Sequence, residues 1–384
     1  MCQVIGLSVS YLFSSGATAS SSLMFSAIQL DPSPDAGNLY VQSLSDSGTA
    51  TGFRSRGDLI GQVGWARALM WSEQGRVSFA AQRPDTVRAQ ITKTDSSGLG
   101  VGWFKTISDD WVRPAMWSDT EIHELPFNGI GGGANATNGT IVLGELFEPE
   151  FRNNQLVAWD ISGSTIPMPQ IVSGVPASGS VLPYGVNSAG AFVGQWYDNS
   201  DPTFETLRSY VGQGLQARDW RPLGQEPVRA NDINDTGQVA GEWLLPDRRL
   251  AFVADSFDSP PRMLDLLPGF YTNYLEAINN EGWAVGQQDD QFGTVGRAVL
   301  FAPGSSEPID INSLVNLPGV NLFAAWDINN RGQILVNGTR TGPNDSGWYV
   351  LTPIPEPAGA VVVGALWLSR AARRRRGVDG GVEV

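Results

Sequence analysis

One short phrase recurs along the chain and decides how the chain folds. It reads INDTGQVAG at residues 233–241. Three other close copies are NSAGAFVG at 187–194, INNEGWAVG at 278–286 and INNRGQILV at 328–336. Looser copies lie at 45–52, 95–102 and 136–144. The sequence is therefore a series of internal repeats, each expected to form one supersecondary unit.

Each copy combines a tight turn with a strand of small residues. Asn or Asp shortly before a glycine suits a hairpin whose glycine has a positive φ. The residues that follow are small or β-branched and end on a second glycine, which predicts a thin strand that another backbone approaches closely. We interpret this strand as the innermost of its unit. The turn glycines are 41 to 51 residues apart: Gly48, Gly98, Gly139, Gly190, Gly237, Gly282 and Gly332.

Two further strand-like elements follow each turn. The first is rich in small and aromatic residues, as in 68–71, 115–117 and 157–159, and the second resembles 122–126 or 263–268. Seven such units predict a seven-bladed β-propeller over residues 20–353. The strand-like segment 23–30 has no unit of its own, so we expect it to complete the last blade and close the ring. An open β-solenoid is the alternative, which the uneven repeat spacing disfavours.

The repeat resembles the HAF-type family of extracellular repeats, in which a phrase I-N-x-x-G-x-V-x-G is paired with a strand like A-F-x-W. The resemblance is clear from residue 187 onward and weaker in the first three units, and it covers residues 40 to 350. It implies an extracellular, β-rich protein and says little about activity.

The composition limits the classes of ligand. The net charge of −14 disfavours binding to nucleic acid and to anionic lipid headgroups. With one cysteine, Cys2, and one histidine, His123, the chain can form neither an internal disulfide nor a His/Cys metal cluster. Turns such as 231–235 carry oxygen ligands that Ca²⁺ accepts, but they lack the spacing of a dedicated calcium loop, so we expect no cofactor.

The C-terminal end carries a sorting pattern. Pro355-Glu356-Pro357 precedes an apolar run at 358–368 and a group of arginines, namely Arg370, Arg373, Arg374, Arg375 and Arg376. This order resembles the PEP-CTERM signal, which implies recognition by an exosortase-type transpeptidase. The resemblance also implies a short apolar helix in the membrane with the arginines on the cytoplasmic side. We assign residues 354–384 to this tail.

At the other end, an apolar segment at 4–13 is followed by the small residues Ala17-Thr18-Ala19. This resembles the second half of a secretory signal peptide, without the basic residues that normally begin one. We therefore read residues 1–19 as a truncated signal peptide. The whole pattern predicts an exported protein of the cell surface or biofilm matrix.

The residue types that carry catalysis are sparse. A catalytic triad would have to use His123, which lies in a predicted strand without a nucleophile motif. The acid pairs Asp109-Asp110, Glu148 with Glu150, and Asp289-Asp290 fall in predicted loops, where solvated carboxylates are expected. The recurring tryptophans indicate packing between blades rather than sugar stacking: Trp71, Trp103, Trp117, Trp159, Trp196, Trp243 and Trp283.

The sequence thus favours a non-enzymatic propeller that binds extracellular polysaccharide or another matrix component through loops and a channel mouth on one face. Two alternatives stay open. One is a carbohydrate-active hydrolase or lyase with acidic residues at that mouth, and the other is a purely structural matrix protein without a discrete site. An enzyme should place two or more acids at the same depth around the axis.

Overall fold

The computed structural model describes residues 23–30, 38–56, 65–118, 121–148, 153–175, 179–197, 207–224, 227–340 and 346–355. In these ranges the chain is all-β, apart from one short 3₁₀ turn, η1 (Ile311–Ser313). No helix among the described residues is long and apolar enough to cross a membrane. The signal-peptide segment 1–19, the predicted C-terminal helix and the arginine group lie outside the described residues.

The strands follow one another at short intervals. The first nine are β1 (Phe25–Gln29), β2 (Asn38–Leu44), β3 (Ala50–Arg56), β4 (Trp65–Trp71), β5 (Val77–Phe79), β6 (Thr86–Thr94), β7 (Gly100–Thr106), β8 (Arg113–Trp117) and β9 (Ile122–Glu124). The next eight are β10 (Gly131–Thr137), β11 (Ile141–Phe147), β12 (Asn154–Asp160), β13 (Gln170–Ile171), β14 (Ser180–Val186), β15 (Ala191–Tyr197), β16 (Leu207–Gln213) and β17 (Gln216–Trp220). The remainder are β18 (Val228–Ile233), β19 (Val239–Leu244), β20 (Arg249–Ala254), β21 (Arg262–Met263), β22 (Thr272–Ile278), β23 (Ala284–Asp289), β24 (Gly296–Phe301), β25 (Pro308–Asp310), β26 (Val320–Ile328), β27 (Ile334–Arg340) and β28 (Ser346–Pro353).

The strands form antiparallel meanders of four. Strands β10–β13, β14–β17, β18–β21 and β22–β25 each make a separate sheet. Strands β2–β9 form one eight-stranded sheet, in which two meanders are joined by the parallel pair Ala66↔Arg88. We call the strand before each turn glycine the first strand of its meander and the strand after it the second.

The last meander is completed by the beginning of the chain. Strand β1 pairs with β28 in the sheet order β1-β28-β27-β26, from Phe25↔Pro353 to Gln29↔Tyr349. The backbone N–H of Ile354 extends this ladder to the carbonyl of Met24, at 2.8 Å. The prediction that the segment 23–30 completes the last unit is therefore confirmed. This pairing covers an edge that would otherwise be exposed.

The first strands, and not the second, surround the axis. They pack against one another from β2 to β26, and β26 packs against β2. Reading the glycine-ending strand as the innermost was therefore wrong. Its second glycine is required for another reason: a β-bulge in the first strand brings a carbonyl against it, so that a Cβ on Gly241 would lie 2.0 Å from the carbonyl oxygen of Arg229.

The last unit departs from this pattern. It has Val336 at the position of the second glycine, paired with Ala325. Its first strand β26 contains a second bulge, between Leu322 and Ala324, as β6 does between Thr86 and Arg88. Nothing in these two bulges explains the valine.

The hydrophobic core lies between neighbouring meanders. Ala68 and Met70 of one meander share a cluster with Ile91, Phe104 and Trp117 of the next. Two tryptophans also reach back with their indole N–H groups: Trp117 donates to the carbonyl of Ala81 at 2.9 Å, and Trp159 donates to that of Pro126 at 2.7 Å. Trp71, Trp117 and Trp159 are fully buried between sheets. The packing interpretation is confirmed for these three and for Trp196, which is also buried between sheets. Trp243 and Trp283 are half-buried and pack against two other clusters, and Trp103 is half-buried.

The turns carry a second link between meanders. All seven turn glycines have a φ between +72° and +97°. The turn asparagine stands three residues before the glycine, or one residue before it in the case of Asn138. Its oxygen accepts backbone N–H groups of its own turn, as Asn234 does from Thr236 and Gln238. Its amide N–H donates to the carbonyl of the equivalent residue in the next meander. The described donors and acceptors are Asn138 to Asn187, Asn187 to Asn234, Asn234 to Asn279, Asn279 to Asn329, and Asn329 to Ser45, at 2.7–3.2 Å.

This chain of bonds runs from the third repeat to the last and on to the first, because Asn329 of the last repeat donates to Ser45 of the first. Ser45 and Asp95 occupy the asparagine position in the two first repeats. Asp95 accepts from its own turn at Ser97 and Leu99 as the asparagines do, but a carboxylate has no N–H to donate onward. The looser sequence of these repeats therefore has a structural counterpart.

The asparagine bonds predict opposite effects for two exchanges. Asn234→Asp keeps the acceptor for its own turn and loses the donor to Asn279, so we expect a loss of about 1 kcal/mol or more in unfolding free energy. Asp95→Asn supplies the missing donor and should gain about 1 kcal/mol. Urea unfolding at pH 7 measures both. Asp85→Asn removes the same charge at an exposed position and serves as the control for Asp95→Asn; equal midpoints for these two variants would contradict the role of the ring.

Candidate functional site

The bulges of the first strands aim one side chain each into a central cavity. At an equivalent position in each first strand, one residue is left out of the pairing with the second strand, and its side chain points toward the axis. These residues are Gln42, Thr92, Asn135, Tyr184, Asn231, Glu276 and Trp326. All seven line one cavity of about 290 Å³. We call them the bulge ring.

The bulge ring combines aromatic faces with planar polar groups. Tyr184 is half-buried and Trp326 is 39% exposed, with the Trp326 ring 5.8 Å from that of Trp348 behind it. Some polar members also join meanders. Thr92 donates to the carbonyl of Ala134 at 2.8 Å, and Asn231 donates to that of Leu275 at 2.7 Å. The ring is thus fixed in position by the same contacts that hold the sheets together.

A charged layer lies one residue nearer the turns. Asp327 accepts hydrogen bonds from the backbone N–H of Leu44 at 2.7 Å and from the hydroxyl of Ser43 at 3.0 Å. Asp232 accepts from the backbone N–H of Ile278 at 3.0 Å. Both aspartates are buried, and in each case the donated N–H belongs to the neighbouring meander. Two acids therefore lie at equivalent depth, but their oxygens are used in joining sheets.

Lys93 compensates these carboxylates. Its Nζ lies 3.9 Å from Oδ1 of Asp327. Burial lowers the pKa of Lys93, but the charges of Asp327, Asp232 and Glu276 outweigh it and raise that pKa above its usual value. Burial raises the pKa of Asp232, which the charge of Lys93 opposes. Lys93 lines both the bulge-ring cavity and a smaller one of about 160 Å³ at the turn end of the channel. Its side chain therefore lies between the two cavities, and we call Lys93 the plug of the channel.

Further carboxyls lie toward the end of the channel away from the turns. Burial, reinforced by the charge of Glu242, raises the pKa of Glu276 to about 7. Burial raises the pKa of Glu145 to about 7 as well, against the effect of its hydrogen bond from Asn154. Glu242 itself is buried between two arginines, 3.3 Å from Arg229 and 3.6 Å from Arg249. Burial raises the pKa of Glu242, and the two arginines oppose that shift.

The turn end of the channel is acidic, but its carboxylates are already hydrogen-bonded. Asp46 accepts from the backbone N–H of Asn330 at 2.7 Å and from its amide at 3.0 Å, and Asp235 accepts from Ser188 and Asn280. Within the described ranges, no group of three or more His, Cys, Asp or Glu side chains is arranged to hold a metal ion.

His123, Asp109 and Asp290 lie away from the cavity, and Glu150 lies outside the described residues. His123 is in the outer strand β9, with Nε2 3.2 Å from a carboxylate oxygen of Glu121. Asp109 pairs with Arg113 at 2.6 Å, and Asp290 accepts from Thr294 within its own loop. Pro355 lies two residues after the end of β28, whereas Glu356 and Pro357 lie outside the described residues.

Sequence reasoning missed the bulge ring and Lys93. Each ring residue stands three positions before the turn asparagine or its equivalent, as Glu276 does before Asn279 and Trp326 before Asn329. The spacing is constant, but the residue type is not. Aligning the seven repeats on the asparagine would have shown a position of variable residue type three residues before the nearly constant asparagine.

Neither protein-family models nor curated protein sequences match the chain. Solved structures do. The β-propeller domain of the Trilobed protease from Pyrococcus furiosus matches with a TM-score of 0.53 at 7% identity, over 82% of this chain and 93% of that one. A prolyl endopeptidase matches at 0.53 with 11% identity, and puromycin hydrolase at 0.52 with 14%.

The last two matches include 81% and 79% of this chain, but only 47% of the endopeptidase and 50% of puromycin hydrolase. This chain therefore spans about half the length of each of these two proteins. At these identities the likeness concerns the fold alone. The protein is a β-propeller.

The plug predicts a large cost when its cation is removed. Lys93→Met leaves Asp232 and Asp327 buried without their cation, which should lower the unfolding free energy by about 3 kcal/mol. Urea unfolding at pH 7 measures the loss, and Lys105→Met is the control because Lys105 lies outside the charged layer and donates to the exposed carbonyl of Asp110. The loss should shrink as the pH falls, because Asp232, whose pKa is raised by burial, then gains a proton. Equal stability of the two variants would show that Lys93 compensates nothing.

Proposed function

We propose that this protein is an exported cell-surface or biofilm-matrix protein whose seven-bladed propeller binds polysaccharide in its central cavity. Seven blades are supported by the seven bulges and seven turn glycines, which recur at the same place in successive meanders. The eight-stranded sheet counts as two blades in this reading, since one residue pair joins its halves.

The observation that carries the proposal is the chemistry of the bulge ring. Tyr184 and Trp326 offer aromatic faces, which pack against the apolar faces of sugar rings. Gln42, Asn135 and Asn231 offer amides beside them, which suit hydroxyl groups. A concave site with aromatic walls and a few fixed polar groups is the usual form of a small-ligand site.

Export is supported by the two ends of the sequence. The order of Pro355-Glu356-Pro357, apolar run and arginine group resembles the PEP-CTERM signal, and its processing would need an exosortase-type transpeptidase as partner. Pro355 comes two residues after the last strand ends at Pro353, so the tail begins where the propeller is complete. The apolar run would hold the chain in the membrane until it is processed.

A carbohydrate-active hydrolase or lyase remains the alternative. Asp232 and Asp327 satisfy the expectation of two acids at one depth, but each accepts a backbone N–H from the next meander and both face Lys93. A hydrolase needs one carboxyl to donate a proton and another to act as base or nucleophile. These two are better suited to joining blades.

Binding to polysaccharide is tested by incubating the full chain with a panel of bacterial and algal polysaccharides. We expect retention in a pull-down without any shortening of the polysaccharide on size-exclusion chromatography. Trp326→Ala should lower retention about tenfold, because a stacked aromatic contributes on the order of 1 kcal/mol or more. Trp111→Ala, at an exposed loop position, is the control. Shortening of the polysaccharide would favour the hydrolase or lyase, and no retention of the protein at all would favour a purely structural role.

Sorting is tested by replacing Pro355, Glu356 and Pro357 with alanine in a bacterium that carries an exosortase-type transpeptidase. The parent chain should lose its tail and be recovered outside the inner membrane. The variant should stay at full mass in the membrane fraction. Intact-mass measurement of each fraction reads the result, and identical processing of both chains would refute the sorting role.

A further inference from the structure

Glu276 is the single carboxyl of the bulge ring and is unusual among the acids of the channel. Its neighbours in the charged layer accept backbone hydrogen bonds, as do the aspartates at the turn end. Glu276 receives no hydrogen bond and forms no ion pair within 4 Å among the described residues, although it lines the cavity and is half-buried. A carboxyl in this position has its hydrogen-bonding capacity free for a ligand.

The cations near Glu276 are engaged elsewhere. Lys93 lies 3.9 Å from Asp327 and is shared with Asp232. Arg229 and Arg249 both pair with Glu242, which is itself an acid acting on Glu276. Four charged groups act on Glu276, namely Lys93, Arg229, Arg249 and Glu242. When Asp232 and Asp327 are included, this region has four carboxyls, counting Glu276 itself, and three cations. This charge balance disfavours an anionic ligand and favours a cationic one.

An aromatic face lies beside this carboxyl. Glu276 and Trp326 hold equivalent bulge positions in consecutive meanders, β22 and β26, which pack against each other. Both line the same cavity. A carboxylate next to an exposed indole is the combination that binds an ammonium group, through an ion pair on one side and a cation–π contact on the other.

We propose that the cavity selects an amino sugar with a free amine, whose ammonium group binds between Glu276 and Trp326. This proposal rests on the proposed function and specifies the class of ligand that the cavity binds. The amides of Gln42 and Asn231, on either side of these two blades, would then contact hydroxyl groups of the same sugar. Acetylation of the amine would remove both the charge and the ion pair.

The test compares oligomers of glucosamine with matched oligomers of N-acetylglucosamine by calorimetry on the full chain at pH 7. The glucosamine oligomer should bind at least about tenfold more tightly, because a charge-assisted hydrogen bond is lost on acetylation. Glu276→Gln should abolish that preference and leave binding of the acetylated oligomer unchanged. Glu281→Gln removes the same charge from an exposed turn outside the cavity and should behave as the parent chain.

Proton release gives an independent readout. Since the pKa of Glu276 in the empty cavity is about 7, binding of an ammonium should release protons from it. Calorimetry in two buffers of different ionisation enthalpy measures this release, which Glu276→Gln should reduce. Equal binding of both oligomers would overturn the selection for amines and leave polysaccharide binding intact. Binding of neither, together with no retention on the polysaccharide panel, would overturn both.

Discussion

The fold depends on one carboxamide used in two directions. The oxygen of each turn asparagine accepts N–H groups of its own hairpin, and its N–H donates to the equivalent carbonyl of the next meander. Asparagine alone among the small polar residues offers both functions from one rigid plane. These bonds join five of the seven pairs of neighbouring repeats, from Asn138 onward, and the last of them returns from Asn329 to Ser45. No disulfide is needed to close the ring, since the β1–β28 ladder covers the remaining edge.

The bulge next to that asparagine separates structural from functional residues. It places a carbonyl over the second strand, which therefore needs glycine, and it turns one side chain away from the ladder into the channel. The glycine and the asparagine are constrained by the backbone in nearly every repeat. The bulged residue lines the cavity in every repeat, and its type varies from Gln and Thr to Tyr, Glu and Trp, although Thr92 and Asn231 also bond the neighbouring meander. Variation among repeats at this position is what a binding site on a repetitive scaffold requires.

The sequence was informative where a residue type is dictated by the backbone. The turn glycines, the all-β class and the pairing of the first segment with the last unit all follow from such local rules. The innermost strand was misassigned because small residues suit close approach from any direction, and here the approaching backbone is the neighbouring bulged strand. The contacts of Lys93 with Asp232 and Asp327 were out of reach, because they join residues of three distant repeats. The shortest outer strands, such as Gln170–Ile171, carry no periodic pattern at all.

The charged layer also decides how the channel can be used. Lys93, Asp232 and Asp327 lie between the turn end and the bulge ring, and their oxygens and ammonium neutralise one another while joining blades. A ligand of the bulge ring would therefore have to enter from the end of the channel away from the turns. Hydrolysis would need two carboxyls free to exchange protons at one bond, and the bulge ring contains only Glu276. One free carboxyl beside aromatic rings fits the ligand-binding role proposed above.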